Sequence, residues 1–343
     1  MAIQSYVPSS PVSGNPTNVY NLGKILKSID VVEVLDRLVK TIPVPMNKNE
    51  TVNMQRSVTP EPRLTEVAEG INPAARALTY ENVTATFEEF AETFAVTSRQ
   101  AELGESNVLM DSKERIVDLM KRTREKNAWF EFRNGTQRIF NAAAHTARNQ
   151  VNGPITLGRL RVGVRTLNNN RAAYITSMSK GSVNQGTVPV EAAFLCLTHT
   201  DARPDIRNLP GFVAKPAMGG ANVSLPQVFG QVDDVVFITS PEFEPFFGEG
   251  AAVGATNMRS AGGVNVDVYS YLLFGAEALG KCNLRGASSS GLGAVEMNVL
   301  DKADKSDPTN QRRLVSCRWW DCPVILQQLH VVRIETGVTD NIA

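Results

Sequence analysis

The densest grouping of chemically capable side chains is Cys196, His199, Asp201 and Asp205, a thiol, an imidazole and two carboxylates close together in the chain. Such a set could hold zinc. Strand alternation over Glu191 to Thr198 directs Cys196 and His199 to opposite faces, and no second Cys/His pair follows nearby, so a buried thiol beside a loop histidine is the favoured reading. Cys317 and Cys322, with Trp319-Trp320 between them, have the spacing of half a metal knuckle whose other half is missing; core packing of the tryptophans accounts for the pattern. Gly286-Ala287-Ser288-Ser289-Ser290-Gly291 has the glycine spacing of a phosphate loop. Leu292-Gly293 stands where that loop needs Lys and then Ser or Thr, so a γ-phosphate would lack its counter-charge and a turn is the better reading. No Gly-x-Ser-x-Gly elbow occurs, and His145, His199 and His330 offer few bases for a Ser-His-Asp relay. On these grounds no catalytic, cofactor-binding or metal residue is assigned, and no cofactor is expected.

The elements that would carry such residues are legible from periodicity. Ser5 to Asn21, with Pro8, Pro11, Gly14 and Pro16, predicts an extended arm. Val31, Val34, Leu35, Leu38 and Val39 predict an amphipathic helix over Ile29 to Lys40, ended by Pro43 and Pro45. Val52, Met54, Arg56 and Val58 then alternate as one strand face. A second strand begins at Asn82, and its phase slips at Glu88-Glu89, as a β-bulge would require; Phe87, Phe90, Ala91 and Phe94 also fit a helix. The connection, with Pro60, Pro62, Gly70, Asn72 and Pro73, is too long for an ordinary turn and predicts an arm leaving the body. Glu105 to Ala128 predicts a long helix whose end, Lys121, Arg122, Arg124, Glu125 and Lys126, is a solvated basic cluster suited to the helix dipole. A short strand follows over Gln137 to Ala142. Beyond Gly153-Pro154 come a helix over Leu157 to Asn169, strands over Glu191 to Thr198, Val235 to Thr239, Val264 to Leu273, Ala294 to Leu300, Arg313 to Cys317 and Val324 to Ile334, and a small-residue loop, Gly248 to Gly263, expected to be mobile.

Composition narrows the function classes. At 343 residues the chain is long enough for about two domains, or one with insertions. Lys plus Arg and Asp plus Glu number 35 each, so attraction of the whole molecule to nucleic acid or an anionic membrane cannot organise its function. No run approaches the ~18 apolar residues of a membrane span, and the N-terminal residues lack a secretory pattern. Four scattered cysteines are then expected as buried free thiols.

The order of elements, with particular motifs, resembles major capsid proteins. Val31-Val32-Glu33-Val34-Leu35-Asp36-Arg37-Leu38-Val39-Lys40-Thr41-Ile42-Pro43, Glu50-Thr51-Val52, Leu64-Thr65-Glu66 and Leu78-Thr79-Tyr80-Glu81-Asn82-Val83-Thr84-Ala85-Thr86-Phe87 resemble the opening of the major capsid family of N-four-type short-tailed phages. His199-Thr200-Asp201 with Asp205-Ile206-Arg207-Asn208-Leu209, Phe229-Gly230 to Ser240-Pro241, and Asp267-Val268-Tyr269 with Phe274-Gly275-Ala276-Glu277-Ala278-Leu279-Gly280 are similar to its later segments, in order. Thr200 replaces the family's usual Pro, and Gly230-Gln231-Val232 lacks the Glu of its turn.

The resemblance implies an α+β, Hong Kong 97-type phage capsid fold with N-terminal arm, extended hairpin loop, long spine helix, peripheral and axial domains. The implied boundaries are 1–41 for arm and helix, 42–100 for the hairpin, 101–152 for spine helix and peripheral domain, 153–309 for the axial domain and 310–343 for C-terminal strands returning to the peripheral domain. It implies a non-enzymatic shell subunit forming hexamers and pentamers of an icosahedral virion around double-stranded DNA, made in the bacterial cytoplasm, with scaffolding, portal and decoration proteins as partners and no membrane. An α/β enzyme and a tail or sheath protein are the alternatives. No acidic helical prelude precedes the arm, so a separate scaffolding chain is expected. The hairpin region Thr41 to Gln100 has net charge −3 and Lys121 to Arg138 has +4, so Glu88, Glu89 or Glu92 is expected to face Lys121, Arg122, Arg124 and Lys126 of an adjacent subunit. One branch of the fold joins subunits by lysine–asparagine isopeptide bonds. No lysine occurs between Lys48 and Lys113, and Arg63 and Arg76 cannot act as the amine, so a non-covalent shell is expected.

Overall fold

The computed structural model describes residues 33–45, 49–67, 69–103, 108–179, 187–215, 227–254, 257–285, 295–300, 302, 308–309 and 311–340. The expected arm, the start of the first helix and the Gly286 to Gly291 loop lie outside the described residues. In chain order the first elements are α1 (Leu35–Leu38), β1 (Lys40–Pro45), β2 (Thr51–Ser57), β3 (Tyr80–Thr86), β4 (Glu88–Thr97), α2 (Ser98–Leu103), α3 (Val108–Phe132) and β5 (Arg138–Phe140). Then come α4 (Leu157–Asn169), β6 (Ile175–Ser179), β7 (Thr187–His199), α5 (Arg203–Arg207), β8 (Val213–Ala214), β9 (Val228–Val232) and β10 (Val235–Ser240). The chain closes with β11 (Tyr269–Phe274), β12 (Leu279–Arg285), β13 (Glu296–Leu300), β14 (Arg312–Asp321), β15 (Pro323–Ile325) and β16 (Val331–Thr336).

The centre is an eight-stranded mixed sheet in the order β5-β16-β11-β7-β10-β9-β8, with β6 pairing β7. Its central strands are buried on both faces, which explains why their sequences are nearly continuous apolar runs. Alternation divides them between two cores. Leu195 and Leu197 of β7, Leu272 and Phe274 of β11 and Ile238 of β10 pack with Trp129 and Phe132 of α3, while Phe194, Cys196, Tyr271, Leu273 and Phe237 pack on the opposite side with Leu160 and Leu167 of α4. Helix α4 has the predicted bounds and sits close to the sheet: a Cβ on Gly163 would stand 3.1 Å from Leu273 and 3.2 Å from Ile334.

Three smaller sheets surround this one: β1-β12-β15, β13-β14-β4 and the two-stranded β2-β3. The predicted helix to Lys40 is too long; the described helix ends at Leu38, Val39 is extended (φ −90°, ψ 152°), and Lys40 opens β1. Thr41, Ile42 and Val44 favour a strand, and Pro43 and Pro45 are tolerated because β1 is a sheet edge that, among the described residues, pairs with β12 alone.

The expected bulge at Glu88-Glu89 is a change of sheet. Strand β3 pairs with β2, from Thr51 opposite Thr86 to Ser57 opposite Tyr80, and β4 pairs with β14 from Glu88 opposite Asp321 onward. Between them Phe87 is buried and donates its N–H to the Glu50 carbonyl at 3.0 Å. The phase slips because odd positions Val83 and Ala85 face the cluster of β1 and β12, whereas even positions Phe90 and Phe94 face Ile116 and Met120 of α3. The predicted strand from Val264 begins only at Tyr269, and the predicted C-terminal strand is divided by a 3-10 turn at Gln328–His330. The loop from Gly248 is hydrogen-bonded to its surroundings, with Gly250 N–H on Val266 O, Ala251 N–H on Val151 O and Val253 N–H on Val264 O.

Candidate functional site

The sequence-predicted chemical cluster does not converge. Cys196 is fully buried among apolar side chains, which pushes its thiol far up, while His199 sits at the end of β7. The Asp201 N–H donates to His199 Nδ1 at 3.1 Å, and burial shifts that imidazole below its ordinary value. Asp201 Oδ2 accepts the Tyr269 hydroxyl at 2.9 Å and meets Arg259 Nη1 at 3.1 Å; Asp205 Oδ2 accepts the Thr339 N–H at 2.9 Å. Asp201 thus fastens the turn after β7 to Tyr269 and Arg259, and Asp205 fastens α5 to the C-terminal segment at Thr339. Among the described residues no three His, Cys, Asp or Glu side chains are grouped to hold a metal ion. Cys317 and Cys322 diverge: Cys317 Sγ faces Met120 Sδ at 3.8 Å beside Trp319, and Cys322 enters the cluster of β1 and β12.

The exposed feature of the fold is the β2–β3 hairpin. From residue 58 to residue 79 the described chain has no helix or strand, and it presents Leu64, 93% exposed, Ile71, 65% exposed, and Leu78 to solvent. Arg63 Nη1 donates to the Ala74 carbonyl at 3.3 Å and Arg76 Nη1 to the Glu61 carbonyl at 2.8 Å, so both tip arginines brace the tip's own backbone. The apolar side chains outside the brace are unpacked in the single subunit.

The basic end of α3 is not a solvated cluster. The helix continues to Phe132, and Arg124 and Glu125 are buried. Arg124 Nη2 lies 3.0 Å from Asp36 and its Nη1 3.7 Å from Glu33, both beside α1. Glu125 accepts the N–H groups of Val34 at 3.2 Å and Leu35 at 3.1 Å, and burial pushes its carboxyl up to about 8. Lys281 of β12 completes the joint, 2.7 Å from Asp36 and 2.9 Å from Asp321, which also accepts from Asn127 at 3.0 Å. Arg122 lies 2.8 Å from Glu242, and Lys126 pairs with Glu244. Lys121 contributes to the positive field on Glu33.

Of the expected acidic contact residues, Glu89 meets Arg318 at 3.3 Å, Glu88 stands opposite Asp321 at the start of β4 and adds to the negative field on Glu131, and Glu92 lies opposite Cys317. None is brought to α3's basic side chains by an ion pair within the described subunit; Arg122, Arg124 and Lys126 find carboxylates elsewhere in their own chain. Periodicity missed those partners, Glu33, Asp36, Glu242 and Glu244. Lys281 carried a usable signal: a lone lysine among apolar neighbours in a strand calls for a buried counter-charge.

No helix among the described residues is long and apolar enough to cross a membrane. No family model and no curated protein matches the chain. Solved structures do. The capsid of Ralstonia phage GP4 superposes with a TM-score of 0.66 at 11% identity, over 98% of this chain and 99% of that one. The fold is that of a phage capsid protein. The head structure of Helicobacter pylori bacteriophage KHP40 matches at TM-score 0.64 and 12% identity, over 97% and 98% of the two chains. The capsid structure of cyanophage P-SCSP1u matches at 0.62 and 11%, over 94% of each. The expected α+β capsid fold is thereby borne out, at a divergence where sequence identity carries no signal.

Proposed function

We propose that this chain is a major capsid protein, the subunit of an icosahedral phage head that encloses double-stranded DNA. The observation that carries the reading is the end-to-end likeness to the capsid of Ralstonia phage GP4, which leaves no appreciable part of either chain unaccounted for. The exposed apolar hairpin tip supports it, because a projecting segment that leaves Leu64, Ile71 and Leu78 in water is suited to a surface supplied by another subunit. In this reading the fold is of the Hong Kong 97 type, and the chain is similar to the major capsid proteins of N-four-type short-tailed phages. The projecting tip of the 42–100 hairpin, residues 58–79, lies on a neighbour, α3 is the spine, and hexamers and pentamers close through heterologous contacts. Glu88, Glu89 or Glu92 faces the basic end of α3 on an adjacent subunit, with Lys121 and the exposed edge of Arg122 as its available cations. The virion is the place of action, and portal, scaffolding and decoration proteins are the partners.

Negative-stain microscopy of the recombinant chain, alone and with co-expressed scaffold, tests the proposal. Closed polyhedral particles are the expected result. Open tubes would favour a tail or sheath protein, and a small stable oligomer with turnover would favour an enzyme.

A further inference from the structure

Cys282 lies in β12, and Cys322 lies between β14 and β15. Strand pairing sets Gly280 opposite Val324 and Lys281 opposite Pro323, which brings Cys282 opposite Cys322; the Cys282 N–H donates to the Cys322 carbonyl at 2.9 Å. Opposed residues of antiparallel strands hold their Cα atoms about 4.5–5.5 Å apart, within the ~4.4–6.8 Å that a disulfide spans. Both side chains enter one apolar cluster, and the two thiols hydrogen-bond to each other. Both are free thiols in this structure. The other two cysteines have no thiol partner, since Cys317 faces a methionine and Cys196 is enclosed in the core under α4.

The cover over the pair is the base of the β2–β3 hairpin. Ala85 and Phe87, with Val52 and Met54 beside them, close the cluster from that side, and Arg56 Nη1 pins the hairpin to the Leu326 carbonyl at 2.8 Å. We propose that Cys282 and Cys322 are a redox pair that closes to an intrachain disulfide, by exchange with a small-molecule disulfide, when the hairpin base lifts. Cys282 is the attacking group, because the hydrogen bond from Cys322 favours its thiolate, whereas the same bond and burial hold Cys322 protonated. The Cys282 thiolate attacks one sulfur of the small disulfide, forms a mixed disulfide and expels one thiolate. Cys322 sulfur then attacks Cys282 sulfur and expels the second thiolate, which takes the Cys322 proton. Two protein thiols lose two electrons and the small disulfide gains them as two small thiols. The bond ties β12 to the entry of β15 beneath the hairpin.

The test uses the full chain, purified in reductant, desalted and exposed to oxidised glutathione. After denaturation the remaining thiols are alkylated and peptides are mapped by mass spectrometry. The expected product is a peptide pair joined through Cys282 and Cys322, lighter by two hydrogens, from a chain that runs as one subunit on a non-reducing gel and keeps Cys196 and Cys317 alkylatable. Cys322→Ser should retain glutathione on Cys282, and Arg56→Ala should close the wild-type pair about fivefold faster, the effect of losing one hydrogen bond on an opening equilibrium. Alkylation of all four thiols, glutathione scattered over single cysteines, bridges between chains, or an Arg56→Ala rate equal to wild type would overturn the proposal.

Discussion

The Glu125 carboxylate accepts the backbone N–H of Leu35 at 3.1 Å, across 90 residues of sequence. A buried side chain of the long helix thus serves the start of the first helix, whose own N-terminal residue, Val34, provides no side-chain cap. The two elements are joined as firmly as a local cap would join them, and the joint carries a titratable proton.

That proton gives the subunit a defined pH response. Burial raises the Glu125 carboxyl from 4.5 to about 8, so the folded chain binds one proton more than the unfolded chain between those values. Stability from this group is complete below about pH 4.5 and declines as pH rises toward 8. Glu33, also raised by burial, acts in the same sense; Asp36, held down by Lys281 and Arg124 against its own burial, loses its contribution only below its ordinary value of 3.8. Urea unfolding followed by tryptophan fluorescence should show a midpoint falling from about pH 4.5 to about pH 8. Glu125→Gln should flatten that decline while leaving the midpoint near pH 4.5 nearly unchanged; an unaltered slope would contradict the assignment.

Lys281 faces two carboxylates, Asp36 and Asp321, with almost no solvent access. Lys281→Met retains the bulk but leaves buried Asp321 without a counter-charge and Asp36 with Arg124 alone, so a loss of about 3–5 kcal/mol is expected. Denaturant titration near neutral pH should recover part of that loss when the pH is lowered, as one acid takes up a proton.

Gly163→Val introduces side-chain atoms where α4 meets Leu273 and Ile334 at 3.1–3.2 Å. Forcing the helix off the sheet should cost about 1–3 kcal/mol. Gly158, on the same helix with nothing within 4 Å of an added Cβ, is the control position, and Gly158→Ala should be neutral or slightly stabilising.

Leu64→Ser combined with Ile71→Ser removes the most exposed apolar groups of the hairpin. The thermal midpoint of the isolated subunit should stay within the equivalent of about 0.5 kcal/mol, since neither side chain packs on its own chain. Particle yield, measured by sedimentation, should fall at least about tenfold if each subunit loses a neighbour's apolar contact.

Purified particles boiled in detergent with reductant should release a single-subunit band, because the hairpin tip offers arginines already committed to backbone carbonyls and no lysine. A ladder of covalent multimers would implicate an amine outside the tip.

Periodicity made much of this architecture readable. Helix α4 stands on its predicted residues because Leu157, Leu160, Val164 and Leu167 mark one face without interruption. Strands β2 and β10 emerge equally well, one from alternation and one from an unbroken apolar run. Long-range relations left no local mark. Nothing near Arg124 indicates that Asp36 will neutralise it, so a run of cations read as a solvated helix end although its centre is buried. The phase slip at Glu88 was visible, but one sequence pattern describes both an extra residue in a ladder and a strand passing from one ladder to another. Opposed Cys282 and Cys322 lie 40 positions apart, and only the β12–β15 register brings them together.

Phe87 separates two hydrogen-bonded ribbons that share one continuous strand, and this makes the hairpin a lever. Strand β2 alone is roughly 24 Å long at about 3.4 Å per residue, and the tip reaches farther. A modest force at Leu64 therefore arrives at Phe87 as a torque multiplied by that length. On one side of the fulcrum stands a ten-residue pairing with β14, bolted to the long helix; on the other stands a small apolar socket. Load applied at the tip is released first in the socket, so the swing of the arm is set by a few side chains and the body of the subunit is left rigid.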